Sequence, residues 1–252
     1  MGRRGPEVSL KRLGLQATTL LDYPGKVAAM VFTMGCPLRC PYCHNPQLVH
    51  GSPPAGFLAR EEVLRRLARR RHLLQGVVIT GGEPLRHHDI GGLLDDVHAL
   101  GLPVKLDTCG WYPAALAGVL EHPGLQYVAM DIKTLPEHYG RVAAGRGLGG
   151  TVLSRSPAIR ESVAVLRNWR DAQPERGLEY RTVCAPGVVD PGDLAGIARM
   201  LQPGDRWRLS QFQPGSCLDP TWNARTPFDT AVLEQAAAAA CRRGVDAWTV
   251  GV

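Results

Sequence analysis

Three cysteines set the chemistry of this chain. Cys36, Cys40 and Cys43 are spaced C-x₃-C-x₂-C, directly after an apolar run, Val27 to Met34, that ends at Gly35. Pro37, Pro41 and Pro46 keep the stretch out of regular helix or strand. Thiolates bind soft or borderline metals, chiefly zinc and iron–sulfur clusters. Two readings follow. In one the motif is a zinc knuckle with His44 as fourth ligand. In the other, three cysteines hold a [4Fe–4S] cluster and leave one iron open to an external chelator, the open-site logic that separates catalytic from structural metals. A dithiol reading of Cys40 and Cys43 fits less well, because the third cysteine is surplus and the motif opens no helix.

The surrounding elements alternate. Leu13 to Leu21 reads as an entry strand or turn into the turn signal Asp22-Tyr-Pro-Gly-Lys26, and residues 50–56 read as loop. A helix is expected over Leu58–Leu74, with Val63, Leu64, Leu67 and Leu74 at helical spacing and Glu61 and Glu62 in its first turn. Strand-like runs then recur at Gly76–Thr80, Val104–Gly110, Tyr127–Lys133, Leu178–Cys184 and Arg206–Phe212, separated by helical stretches near 89–100, 113–121, 157–172 and 191–201. A last helix, 227–243, leads into Ala247–Val250. This alternation implies an α/β fold of parallel strands with right-handed crossovers. Six such units are too few for a closed eight-fold barrel, so the expectation is a partial, open (β/α)₆ barrel. In parallel barrels reactive groups sit at the C-terminal ends of the strands. That rule gathers the cysteines, Gly81 to Glu83, Asp107, Asp131, Lys133, Arg181 and Gln211 around one mouth.

Composition bounds the rest. A chain of 252 residues, 44% apolar and 21% charged, suits one soluble α/β domain spanning 1–252, with a basic tail over about residues 1–12 and a core from about 13 to 250. Neither a signal peptide nor a membrane-length apolar run is visible, and seven cysteines, an odd number, argue for a reducing compartment, hence the cytoplasm. The net charge of +6 comes almost wholly from arginines scattered over helix faces, with one run at Arg69–Arg71; a solvated basic surface is favoured over nucleic-acid binding. Gly140–Gly150 reads as a loop. Its glycines make no dinucleotide fingerprint, for no strand precedes them.

With these residues in view, the chain resembles a family. C-x₃-C-x₂-C with the aromatic Tyr42 before the last cysteine is similar to the signature of radical S-adenosylmethionine (SAM) enzymes. Gly81-Gly82-Glu83-Pro84, closing the second strand run, is similar to that family's motif for the methionyl amine. The resemblance implies Cys36, Cys40 and Cys43 as ligands of a single [4Fe–4S] cluster whose open iron is chelated by SAM. It implies a 5′-deoxyadenosyl radical as the product of SAM cleavage. Backbone groups of Gly81, Gly82 and Glu83 would hold the amine, since glycine lets the main chain approach closely. Tyr42 joins the SAM-contacting residues.

Within the family, Asp131-Ile132-Lys133 resembles the Asp-x-Lys motif of glycyl-radical-activating enzymes, which contacts the ribose and carboxylate of SAM. A carboxylate accepts from hydroxyls, an ammonium pairs with a carboxylate, and alternate residues of a strand share a face. The competing reading is a surface ion pair. Asp107 is a plausible lining residue. Arg181 is either a carboxylate clamp or a structural salt bridge. Cys109 stands where the family often has Asn, and Gln211 where some activases have His, so both positions stay open. Cys109, Cys184, Cys217 and Cys241 lack cluster spacing and read as buried or incidental thiols, and His87 and His88 read as exposed loop histidines rather than ligands. No catalytic acid–base side chain stands out.

Asp22–Lys26, Phe32–Cys36, Cys43–Pro46, Gly76–Pro84 and Met130–Lys133 resemble the anaerobic ribonucleoside-triphosphate reductase activating proteins. That resemblance implies an oxidoreductase that places a radical on a glycine of the reductase, with flavodoxin or ferredoxin as electron donor and neither nucleic acid nor membrane as partner. The alternatives are a formate-lyase-type partner, a small-molecule substrate as in deazapurine synthesis, or a non-catalytic zinc protein.

Overall fold

The computed structural model describes residues 10–50, 53–142 and 157–251. The basic tail up to Ser9 and most of the glycine-rich loop, 143–150, lie outside the described residues. The chain is α/β with mostly parallel strands and divides into two compact units. Each is assembled from separate stretches of sequence: residues 1–37, 47–108 and 114–128 in the first, residues 38–46, 109–113 and 129–252 in the second.

In the first unit, β1 (Arg12–Thr19) runs antiparallel to β2 (Ala28–Thr33), with Gly14 opposite Phe32, and also pairs with the two-residue β3 (Leu58–Ala59). A short helix, α1 (Pro46–Val49), follows the cysteine stretch. β4 (Gly76–Gly81) lies parallel to β2, with Thr33 opposite Gly81, and β5 (Val104–Thr108) lies parallel to β4. Ala28 to Val31, Val77 to Ile79 and Val104 to Thr108 are buried without alternation. Parallel strands covered on both faces read this way. Each fully buried Val, Ile or Leu among them contributes about 1.5–3 kcal/mol. The crossovers are α2 (Arg60–Arg70), α3 (Ile90–Ala99) and α4 (Pro113–Leu120). Helix α2 buries Val63 and Leu67, and α3 buries Ile90, Leu93, Leu94 and Val97.

β6 (Leu125–Asp131) carries the chain into the second unit. There β7 (Gly177–Cys184), β8 (Arg206–Gln211) and β9 (Asp246–Val250) are successive parallel neighbours, with Tyr180 opposite Trp207 and Arg206 opposite Asp246. The helices are α5 (Pro157–Ala172), α6 (Pro191–Met200) and α7 (Thr230–Cys241). Trp207, Tyr180, Leu209, Phe212, Ile159 and Leu166 are fully buried and form the core. The indole of Trp207 donates to Thr182 Oγ1 at 3.0 Å, and that hydroxyl donates to the Ile132 carbonyl at 2.9 Å. The buried Asp205 carboxylate fastens α5 to the start of β8 by accepting from Arg167 and Arg170, each at 2.7 Å.

Several boundaries differ from expectation, each for a local reason. The helix foreseen over 58–74 occupies only Arg60–Arg70, because Leu58 and Ala59 pair with Leu13 and Arg12 as a strand. The last helix starts at Thr230 rather than 227, where Asp229 caps it by accepting from Ala231 N–H at 2.9 Å. The closing run becomes a full strand paired to β8. Asp22 to Lys26 is the turn between β1 and β2, closed by Lys26 N–H to the Tyr23 carbonyl at 3.0 Å. Tyr23 itself is buried edge-on to Tyr127. No described helix is long and apolar enough to cross a membrane.

Candidate active site

The cysteine loop begins in the first unit and ends in the second, so its two parts are built differently. At its start, Gly35 N–H donates to the Leu48 carbonyl at 2.7 Å and Cys36 N–H to the Val49 carbonyl at 3.3 Å. The Gly81-Gly82-Glu83 turn leaves β4 and packs on this root. Gly82 N–H donates to Thr33 O at 3.0 Å, and Glu83 N–H to Gly35 O at 2.9 Å. Gly81 has φ +117°, and a Cβ there would lie 2.4 Å from Thr33 O; a Cβ on Gly82 would lie 2.3 Å from Gly35 O. Both glycines are therefore required by backbone meeting backbone. An ammonium only donates, so at this turn it would be met by carbonyl oxygens.

The Glu83 side chain is fully buried and accepts from Leu85 N–H at 3.0 Å and from Thr108 Oγ1 at 2.8 Å. It caps the short 3₁₀ turn Pro84–Arg86 and does not face outward as a ligand group. Asp107 is also buried. Its carboxylate accepts from Lys105 Nζ at 2.5 Å, and Lys105 in turn lies over the Tyr127 ring. Lys105 escaped the sequence reading; its place two residues before Asp107 on one strand face was the available signal. His87 is buried and bonds the Met34 carbonyl at 2.8 Å, so it supports the loop root rather than lying exposed as expected.

In the second unit, Cys40 to Cys43 form a turn with Pro41 at its second position, closed by Cys43 N–H to the Cys40 carbonyl at 3.0 Å. Residues 213–222 brace it. His44 Nε2–H donates to Gln213 O at 2.8 Å, Asp219 N–H donates to Pro41 O at 3.0 Å, and Tyr42 packs against Trp222 at 6.2 Å. Arg39 N–H reaches the Val142 carbonyl at 2.8 Å.

The same unit gathers Asp131, Lys133 and Arg181. Asp131 Oδ1 accepts from Arg181 Nε at 2.7 Å, and Oδ2 from Lys133 Nζ at 2.8 Å. Lys133 N–H donates to the Tyr139 hydroxyl at 3.1 Å, and Tyr139 stacks on Trp111. Burial by itself would raise the Asp131 carboxyl and lower the Lys133 ammonium, but the opposite charges outweigh it. Asp131 is held well below the usual carboxylate range by Arg181 and Lys133, and Lys133 is held well above its ordinary value by Asp131. Side-chain exposures of 26% for Asp131 and 16% for Lys133 leave the pair reachable by a ligand. Burial pushes the Cys40 thiol up to about 11, and the Lys133 charge opposes that rise.

Gln211 is not turned toward a ligand. Its Nε2 donates to Phe228 O at 2.7 Å and its Oε1 accepts from Phe212 N–H at 3.2 Å, so it braces the approach to α7. Cys109 is buried, beside Gly110, whose φ is +70° and whose carbonyl accepts from Ser162 Oγ at 2.8 Å. Cys184 and Cys217 are buried as expected, while the Cys241 thiol is exposed.

Cys36, Cys40 and Cys43 have the donor chemistry that an iron–sulfur cluster takes. All seven cysteines are described and none forms a disulfide. Among the described residues, the hydroxyls of Tyr42 and Thr134 are buried in the second unit with no hydrogen-bond partner. His44, the fourth ligand of a zinc knuckle, donates Nε2–H to the Gln213 carbonyl, which leaves Nδ1 as its ligating nitrogen. Among the described residues no three His, Cys, Asp or Glu side chains are grouped to hold one metal ion.

Comparison with known proteins agrees with this chemistry. Residues 30–200 match the radical SAM superfamily, and the chain belongs to that family, whose members use a [4Fe–4S] cluster and SAM. It is similar to a protein of Methanocaldococcus jannaschii named as a glycyl-radical enzyme activating enzyme, at 27% identity over 82% of this chain and 81% of that one. A pyruvate formate-lyase-activating enzyme of Clostridium pasteurianum is 31% identical over 67% of this chain and 81% of that one. A 7-carboxy-7-deazaguanine synthase of Halobacterium salinarum is 30% identical over 79% and 71%. Among solved structures, Streptococcus suis SuiB bound to S-adenosylmethionine shares the fold, with a TM-score of 0.60 at 14% identity. The likeness covers 87% of this chain but about half, 49%, of SuiB.

Proposed function

We propose that this radical SAM enzyme activates a glycyl-radical enzyme, and that its partner is an anaerobic ribonucleoside-triphosphate reductase. Similarity to a named activating enzyme across four-fifths of both chains carries the activase reading. The finer choice of reductase rests on the sequence stretches Asp22–Lys26, Phe32–Cys36, Cys43–Pro46, Gly76–Pro84 and Met130–Lys133. In this reading Cys36, Cys40 and Cys43, three thiols of one eight-residue loop, are the cluster ligands. Carbonyls of Gly81 to Glu83 take the methionyl amine, Lys133 pairs with the SAM carboxylate, and Asp131 accepts from the ribose. Arg181 holds Asp131 in place, Tyr42 and Asp107 stand near the cofactors, and a flavodoxin or ferredoxin supplies electrons in the cytoplasm. When bound, a reduced cluster with SAM supplies one-electron cleavage of the sulfonium and a carbon radical able to take a hydrogen atom. What the chain's own residues contribute is binding and orientation: Asp131 and Lys133 stay charged at neutral pH and can receive a zwitterionic ligand.

A second reading, a small-molecule substrate, is favoured by the similarity to the deazaguanine synthase. One experiment separates the two. Reconstituted, reduced protein is mixed anaerobically with SAM and the candidate reductase, and electron paramagnetic resonance is recorded. A SAM-dependent glycyl-radical doublet that disappears in the Cys36→Ala, Cys40→Ala and Cys43→Ala variants is expected. Cleavage of SAM without a doublet, together with turnover of a free small molecule, would replace the activase by the second reading.

A further inference from the structure

Strands β7 and β8 place two arginines side by side. Arg181 and Arg208 are direct partners in the parallel register. Their Cα atoms therefore stand one strand spacing apart, about 4.8 Å, and their side chains leave the same face of the sheet. Tyr180, Thr182 and Trp207 occupy the opposite face, where the Tyr180 hydroxyl donates to Val163 O of α5 and the Trp207 indole to Thr182 Oγ1. The arginine face is the one that Asp131 and Lys133 share, since Asp131 accepts from both Arg181 and Lys133.

Like charges directly opposite one another repel unless each is compensated. Arg181 has Asp131. Arg208 is half-buried, and among the described residues its Nε is buried with no hydrogen-bond partner and its guanidinium enters no ion pair. Its register partner on the other side is Trp248, which brings no charge, and Asp246 of the same strand accepts from Arg206 at 3.2 Å. Glu179, on the arginine face two residues before Arg181, is buried. Three cations, Lys133, Arg181 and Arg208, thus face two carboxylates, Asp131 and Glu179. The face is short of one negative charge, and a guanidinium offers a planar fork of donors that matches a carboxylate.

We infer that Arg208 is a substrate-binding residue that receives a carboxylate of the substrate on the face shared with Asp131, Lys133 and Arg181. The inference rests on the activase reading and deepens it. The carboxylate is that of an acidic residue in the partner's glycine-bearing segment, separate from the SAM carboxylate given to Lys133. Two parallel N–H to oxygen bonds would fix the direction of that segment as well as its place.

Wild type, Arg208→Met and Arg208→Lys, all reconstituted, test this in two ways. Methionine keeps an apolar stem and removes the charge, while lysine keeps the charge and loses the fork. Thermal melts are run in sodium acetate and in sodium chloride at equal ionic strength. Acetate, the carboxylate probe, is expected to raise the melting temperature of wild type more than that of Arg208→Met. In chloride Arg208→Met is expected to melt no lower than wild type, because no partner is lost. An equal acetate response in the two proteins, or a lower melting temperature of Arg208→Met in chloride, overturns the inference.

The second measurement titrates the candidate reductase with SAM and reads the glycyl-radical doublet. The reductase concentration giving half the maximal doublet is expected to rise about ten- to a hundred-fold in Arg208→Met, and less in Arg208→Lys. An unchanged half-maximum beside a wild-type doublet overturns the inference and leaves the activase reading standing. No doublet in wild type removes the activase reading instead. The acetate melts then decide by themselves whether Arg208 holds a carboxylate, whose source would be a small acid.

Discussion

Arg181 Nε and Asp131 Oδ1 lie 2.7 Å apart, joining the end of β6 to the middle of β7 at the residue that also receives Lys133. The two candidate readings of Arg181, ligand clamp and structural ion pair, are thereby connected. By fixing Asp131, the guanidinium orients the carboxylate that is proposed to meet the ribose, and it keeps that carboxylate ionised. A hydrogen bond to a charged group is worth about 1.5–3 kcal/mol, so Arg181→Met is expected to weaken SAM binding by about ten- to a hundred-fold. Equilibrium dialysis with reconstituted protein reads this directly, and unaltered affinity would leave Arg181 a purely structural partner.

The same pair predicts an acid-sensitive stability. Burial alone would raise the Asp131 carboxyl, but Arg181 and Lys133 lower it below its unfolded value. A depressed carboxyl stabilises the fold above the ordinary carboxylate range, about pH 4, and the contribution is lost as pH falls from there toward the depressed value. Urea melts of the metal-free protein between about pH 3 and about pH 7 should show this slope. It should be smaller in Asp131→Asn, and an identical slope in that variant would assign the acid sensitivity elsewhere.

Gly82 offers a test of the packing beneath the motif. Any Cβ at this position meets Gly35 O at 2.3 Å, and a backbone oxygen cannot swing aside as a side chain does. Overpacking of this kind costs about 1–3 kcal/mol. Gly82→Ala is therefore expected to lower the melting temperature of the metal-free protein as well as its iron loading. Impaired loading at wild-type stability would place the effect on the ligand side alone.

Iron content separates cluster from zinc knuckle. Cys40→Ala should lose the brown colour and the iron, whereas His44→Ala should keep both, because the proposed ligand set is three cysteines and no histidine. A colourless wild type carrying zinc, with loss of metal in His44→Ala, would reverse the assignment.

Much of this was legible in the sequence because it depends on local pattern. The buried parallel strands announce themselves as apolar runs, and the cysteine spacing and Gly81–Glu83 stand at strand ends as expected. What was not legible depends on partners distant along the chain. Leu58 and Ala59 leave the helical pattern to pair with β1, some forty-six residues earlier. Glu83, whose backbone is the expected amine contact, turns its side chain inward to Thr108. Gln211 stands at the right strand end, yet Phe228 takes its amide. Tyr139, supporting Lys133 through its hydroxyl, belongs to no motif and is found only through the fold.

The bracing of the cysteine turn also fixes an order of events in the making of the protein. Pro41, Tyr42 and His44 are synthesised early, but their supports, Asp219, Trp222 and Gln213, come some 170 to 180 positions later. On the ribosome, at about 5–20 residues per second, many seconds separate the thiols from the segment that shapes their turn. Iron delivery to a nascent chain would meet an unshaped loop. On the proposed ligand assignment, cluster insertion would follow completion of the polypeptide, and cells that make this protein faster than they can load it would accumulate a folded, colourless form.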